Sequence, residues 1–156
     1  MKIKVFKLAH ILLFLFILIF IFVLLFSFVF ANSEEYIKVP IIMYHSILKD
    51  PARSNKYTIT PAVLEEDLKY IKANGYETIT ISDLISYVYD DKPLPPKPII
   101  LTFDDGHYNN YGYLYPLLEK YDMKAVISIV GSYTDKFSET DEANLNYSYL
   151  RSKDIN

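Results

Sequence analysis

The stretch "PKPIILTFDDGHYNN", Pro96 to Asn110, decides how the rest of the chain is read. Pro96 and Pro98 exclude a helix at its start. The apolar run Ile99–Phe103 that follows is short and β-branched at its start, as a buried strand is. It ends in two adjacent carboxylates, Asp104 and Asp105, and then Gly106. Acids at the carboxyl end of a buried strand stand where α/β folds place their chemistry.

Working outward, the same pattern repeats. "VPIIMYHSI" predicts a first buried strand over Val39–Tyr44, with His45 at its carboxyl end. "LKDPARSNKYTIT" is rich in turn formers and predicts a loop. Thr60 then caps a helix with Pro61 at its first position, an apolar stripe of Leu64, Leu68 and Ile71, and Gly75 as its stop. "YETITI" predicts a strand over Tyr76–Ile81, and Ser82 the cap of a helix "DLISYVYD". After Gly106 a helix is predicted over Asn110–Tyr121, followed by a strand in "KAVISIV" closed by Gly131. Residues 132–156 show no clear pattern beyond a last helical turn. Met43 and Phe103 read as core, and Tyr111 and Tyr115 share a helical face that suits packing against a sheet.

Strand and helix in alternation predict an α/β fold with a parallel sheet, its strands covered on both faces. Side chains alternate along a strand, so Asp104 and Asp105 diverge unless the backbone turns between them. Divergence disfavours a shared-proton pair, which needs carboxylates nearly in contact. It suits two separate tasks: an oxygen ligand for a cation, and a base for a water proton. The plainer reading is that one aspartate caps the next helix while the other is solvated, since Asp-Asp-Gly is common in turns.

The first 31 residues differ from all this. Lys2, Lys4 and Lys7 precede an apolar run from Ile11 to Ala31. At about 1.5 Å per residue such a run reaches roughly 30 Å, the thickness of a bilayer core. An uncleaved anchor over 1–31 is expected. A secretory signal is the alternative, with Val29 and Ala31 at its cleavage positions. The basic flank stays cytoplasmic, which places the remainder outside the cell, either membrane-anchored or secreted. Residues 32–38 read as a linker and 39–156 as one domain. None of the 19 acids lies in the leader, while three of the 16 lysines and arginines do, so the remainder carries a net charge of −6. An acidic domain without a basic cluster argues against a nucleic-acid partner. No cysteine is present, so neither disulfide nor thiolate chemistry is available.

"TFDDG" at 102–106, with "PIIMYHSI" before it and "GYETITISDLI" between, resembles the polysaccharide deacetylase (NodB-homology) family. The resemblance covers about residues 39–150. It implies a distorted (β/α) barrel and a metal-dependent hydrolase that removes N-acetyl groups from a cell-surface or extracellular polysaccharide. Residue by residue, it implies Asp104 as the catalytic base and Asp105 as a ligand of a divalent metal, zinc foremost. Thr102 matches the motif's threonine, with a positioning role, and His45 matches the histidine of the "MYH" string. His107 and Tyr108 are placed as further site-lining residues. The family completes its metal site with a pair of closely spaced histidines. The histidines here are His10, His45 and His107, and no two form such a pair. A whole barrel of this kind needs roughly 200 residues, so a partial barrel and an inactive or nearly inactive copy are expected. A noncatalytic, membrane-anchored carbohydrate-binding protein on the same fold is the alternative.

Overall fold

The computed structural model describes residues 8–31 and 36–155, with side chains at 10–27 and 36–155. It divides into two units, Met1–Tyr36 and Ile37–Asn156. The first holds α1, Leu8–Ala31, a helix of 24 residues. Within it, His10–Ser27 has a mean hydropathy of 3.1 and none of its residues is buried. By length and composition it can cross a membrane, and a signal sequence would meet the same description.

The second unit is an α/β fold built on a small parallel sheet. Its strands are β1 (Ile41–Tyr44), β4 (Glu77–Thr78), β5 (Pro98–Phe103) and β6 (Val126–Ile127), while β2 (Ser46–Ile47) and β3 (Thr58–Ile59) pair separately. β5 is central. β1 runs parallel along one side of it, from Ile41 opposite Ile100 to Tyr44 opposite Phe103. The other side is shared: β4 pairs with Pro98 and Ile99, and β6 with Thr102 and Phe103. Among the described residues the sheet is open and does not close into a barrel.

Helices cover it: α2 (Pro61–Ala73), α3 (Ile81–Asp90), α4 (Tyr115–Tyr121), α5 (Gly131–Thr140) and the short α6 (Ser152–Ile155). The sequence signals at α2 hold. The Thr60 hydroxyl accepts from Val63 N–H, Pro61 opens the helix, and Leu64, Leu68 and Ile71 are its buried residues. They meet Ile99, Leu101, Phe103 and Leu114 in one core cluster. Complete burial of one such side chain contributes about 1.5–3 kcal/mol.

Other expectations are corrected. Thr80, not Ser82, caps α3, because Asp83 at the third helical position returns a bond to the Thr80 backbone and closes a capping box. That early start leaves a strand of only two residues where Tyr76–Ile81 was expected. Met43 is 59% exposed and is not core, since the face of β1 that it shares with Ile41 is uncovered. Tyr111 and Tyr115 also face outward, stacked on each other at 5.9 Å. Gly131 does not close a strand; it is the first residue of α5, a helix buried only at Thr134 and Phe137. The helix expected from Asn110 begins as a π-helical turn over Asn110–Leu114. Pro116 explains it: with no N–H and a ring that crowds the carbonyl four residues back, it cannot continue a tight α-turn.

Candidate functional site

β5 delivers its acids to the carboxyl edge of the sheet, as the sequence predicts. Asp104 N–H donates to Tyr44 O at 2.8 Å, which keeps this residue in register with β1. The chain then leaves the sheet abruptly, for Asp105 and Gly106 have φ of 69° and 68°. Aspartate tolerates this left-handed region better than most side chains. Glycine is required next, because a Cβ on Gly106 would lie 2.9 Å from Ile129 Cγ2.

This double turn separates the two acids and brings Asp105 beside His107, with Oδ2 and Nε2 3.7 Å apart. Both line a cavity of about 510 Å³ together with His45, Arg53, Tyr57 and Tyr149. The cavity therefore unites three of the residues singled out from sequence: His45, Asp105 and His107. It does not include Asp104, Thr102 or Tyr108 in its lining. The Thr102 hydroxyl points back to Ile42 O at 3.4 Å. Tyr108 lies beneath the Arg151 guanidinium, 5.2 Å away, and stacks on Tyr111.

The far wall comes from residues 144–151. Tyr108 N–H donates to Ser148 O at 2.9 Å and Leu150 N–H to Gly106 O at 2.8 Å, so this segment pairs with the turn itself. Tyr149 thereby lies against the His107 ring, centroids 4.8 Å apart. Arg151 clasps the segment: its Nε and Nη2 donate to the two Asp154 oxygens at 2.8 Å each, and Nη1 donates to Asp141 Oδ1 at 2.9 Å. Burial holds the His107 pKa below the ordinary histidine value. Asp105 opposes that shift and His45 adds to it. His107 is thus neutral at pH 7.

Asn109 is the site residue that sequence reading overlooks. It is 2% exposed, and its Oδ1 accepts from the buried Ile47 N–H at 3.0 Å. Its Nδ2 donates to Ser46 Oγ at 3.0 Å. One carboxamide thus fixes the His45–Ile47 corner against the turn that carries Asp105. Nothing in the local sequence marks it, since an asparagine early in a helix usually serves the helix itself.

A divalent metal is only partly provided for. Asp105 and His107 offer one carboxylate and one imidazole, and no group of three or more His, Asp or Glu side chains converges among the described residues. A catalytic zinc ordinarily has three protein ligands. The residues present do not make a complete metal site.

A cavity at the carboxyl edge of a parallel α/β sheet stands where such folds place their sites, whatever the activity. The comparisons narrow it. Residues 91–146 match the family model described as polysaccharide deacetylase. YxkH of Bacillus subtilis (strain 168), classed with the polysaccharide deacetylases, is 37% identical over 100 residues, which is 64% of this chain and 34% of that protein. The poly-beta-1,6-N-acetyl-D-glucosamine N-deacetylase of Escherichia coli (strain K12) is 31% identical over 94 residues, 60% of this chain and 14% of that one. The structure of the Streptococcus pyogenes deacetylase PplD in complex with acetate superposes with a TM-score of 0.60 at 28% identity, covering 76% of this chain and 50% of PplD. The chain is thus similar, over part of its length, to polysaccharide deacetylases. It spans about a third of YxkH and a smaller share of the E. coli protein.

Proposed function

We propose that the domain after α1 engages an N-acetylated polysaccharide outside the cytoplasm, in the cavity around Asp105, and supplies the aspartate-bearing part of a deacetylase site. The observation that carries this reading is the turn at Asp105–Gly106, which aims one acid of the pair into a cavity walled by His45, His107 and Tyr149. Relatives that are named as deacetylases of polysaccharide and of poly-N-acetylglucosamine support the same substrate class. Tyr57 and Tyr149 give the cavity the flat faces on which sugar rings stack, and Arg53 and Ser46 offer polar contacts. In this reading Asp104 is the carboxylate that takes a proton from the attacking water. Asp105 is the metal ligand of the full site, zinc foremost. The described residues alone do not complete that ligand set, so hydrolysis by this chain by itself is expected to be slight. α1 serves as membrane anchor or export signal.

The noncatalytic alternative has one specific observation in its favour, the incomplete set of metal ligands beside an intact aromatic wall. Two assays on the purified full chain separate the readings. The first is sedimentation of the chain with insoluble N-acetylglucosamine polymer. The second is acetate release from soluble oligomers with and without added zinc. Co-sedimentation lost on Asp105→Ala or Tyr149→Ala, with zinc-stimulated acetate release lost on Asp104→Ala, supports the deacetylase reading. Binding without acetate release under any metal supports the binding protein. Absence of both refutes the sugar site.

A further inference from the structure

The far wall of the cavity carries a reactive pair that the proposed hydrolysis does not use. Tyr149 packs against Tyr133, with ring centroids 4.4 Å apart and planes tilted by 40°. At that spacing carbons of the two rings are in van der Waals contact. The other tyrosine pairs among the described residues are wider, at 5.8 Å for Tyr108–Tyr111 and 5.9 Å for Tyr111–Tyr115. This pair also joins two separate elements. Tyr133 stands on the first turn of α5, and Tyr149 on the segment bridged to His107. Phe137 and His107 pack on the Tyr149 ring as well, at 5.7 and 4.8 Å.

Composition directs oxidation to such a pair. Cysteine, ordinarily the first side chain to be oxidised, is absent along with tryptophan, while tyrosine occurs 15 times. Tyr133 is 44% exposed, and Tyr147, two residues before Tyr149, is 55% exposed, so a one-electron oxidant has points of entry beside the contact. We propose that Tyr133 and Tyr149 form a site of oxidative cross-linking, joined as dityrosine by hydrogen peroxide acting through a haem peroxidase. Each phenol gives up one electron and its hydroxyl proton and becomes a phenoxyl radical. The two radicals couple, forming a carbon–carbon bond between ring positions ortho to the oxygens. The hydrogens on those carbons then pass to the oxygens and restore both phenols. Peroxide takes up the two electrons and two protons and leaves as water. The bond ties the cavity wall to α5 and fixes the ring that packs on His107. This chemistry depends on the contact alone and not on what the cavity binds.

The test treats the full chain, dilute in detergent micelles, with hydrogen peroxide and a haem peroxidase. Monomer is recovered by denaturing gel electrophoresis and digested with trypsin, which cuts after Lys124, Lys136 and Arg151. The two tyrosines therefore fall on separate peptides, 125–136 and 137–151. Blue dityrosine fluorescence is expected, with a linked peptide pair lighter than the sum of its parts by two hydrogens. Tandem mass spectrometry is expected to place the bond on Tyr149 and not on Tyr147, which shares its peptide. Tyr133→Phe and Tyr149→Phe should each lose the linked pair, and Tyr147→Phe should keep it. These substitutions remove only a hydroxyl, so folding is preserved. The linked monomer should melt at a higher temperature, because the bond restricts the unfolded chain as a disulfide does. A monomer without the linked pair, a bond on Tyr147, or a pair that persists in Tyr133→Phe overturns the inference.

Discussion

Replacing Asn109 by alanine tests how the cavity is held together. The substitution leaves the buried Ile47 N–H with no acceptor, and Ile47 is 0% exposed, so water cannot substitute. An orphaned buried donor of this kind costs about 1–3 kcal/mol. Loss of the bond to Ser46 Oγ adds about 1 kcal/mol. The expected sum is about 2–4 kcal/mol, enough to lower the melting temperature of a domain this size by roughly 10 °C. Ser46→Ala removes only one of these bonds and is expected to lose about 1 kcal/mol. Because the two residues share that bond, the double variant should be little worse than Asn109→Ala alone, a non-additivity of about 1 kcal/mol. Urea denaturation of the four proteins, followed by far-ultraviolet circular dichroism in detergent, measures the cycle. A loss below about 0.5 kcal/mol for Asn109→Ala, or full additivity, would refute the assignment of Asn109 as the tie between β2 and the Asp105 turn.

Two further outcomes are expected. Gly106→Ala should lose more stability than Gly75→Ala. Both have positive φ, which costs an alanine about 1–2 kcal/mol, but only Gly106 also meets Ile129, whereas Gly75 has nothing within 4 Å; equal melting temperatures would contradict the close approach. His107 makes stability pH-dependent. Its folded pKa is depressed by burial, so the unfolded chain binds the proton more readily, and the stabilisation is fully present above about pH 6.5 and declines as pH falls toward the folded value. The melting temperature should drop between about pH 7 and pH 5, less steeply in His107→Gln, and an unchanged slope in that variant would assign the effect elsewhere.

Much of the scaffold is legible because its signals are local and redundant. Thr60, Pro61 and the Leu64–Leu68–Ile71 stripe all point to α2, and burial agrees at each of the three apolar positions. The central strand and its terminal acids are equally plain, since "PIILTF" admits no other element. What escapes the sequence depends on tertiary context. α5 buries only Thr134 and Phe137, too few to leave a periodic stripe, so its ten residues look patternless. Met43 sits in an apolar run whose outer face is left uncovered, which no local pattern records. Strand alternation stops at Phe103, so it does not reveal the partner of Asp105. His107 reaches it only because two successive residues adopt left-handed geometry. Asn109 binds residues more than sixty positions earlier, and a separation of that size is invisible to any window along the chain.

The wall of residues 144–151 has a consequence for the order of events during folding. Its bond from Arg53 to Asn146 spans 93 positions, and α2 and the β1–β5 ladder need no part of that segment. Long-range closure is slow, because chain entropy must be surrendered before any contact rewards it. A chain leaving the ribosome has α2, β1 and β5 available before the far wall of the cavity exists. The cavity acquires its far wall only once residues 144–151 have emerged.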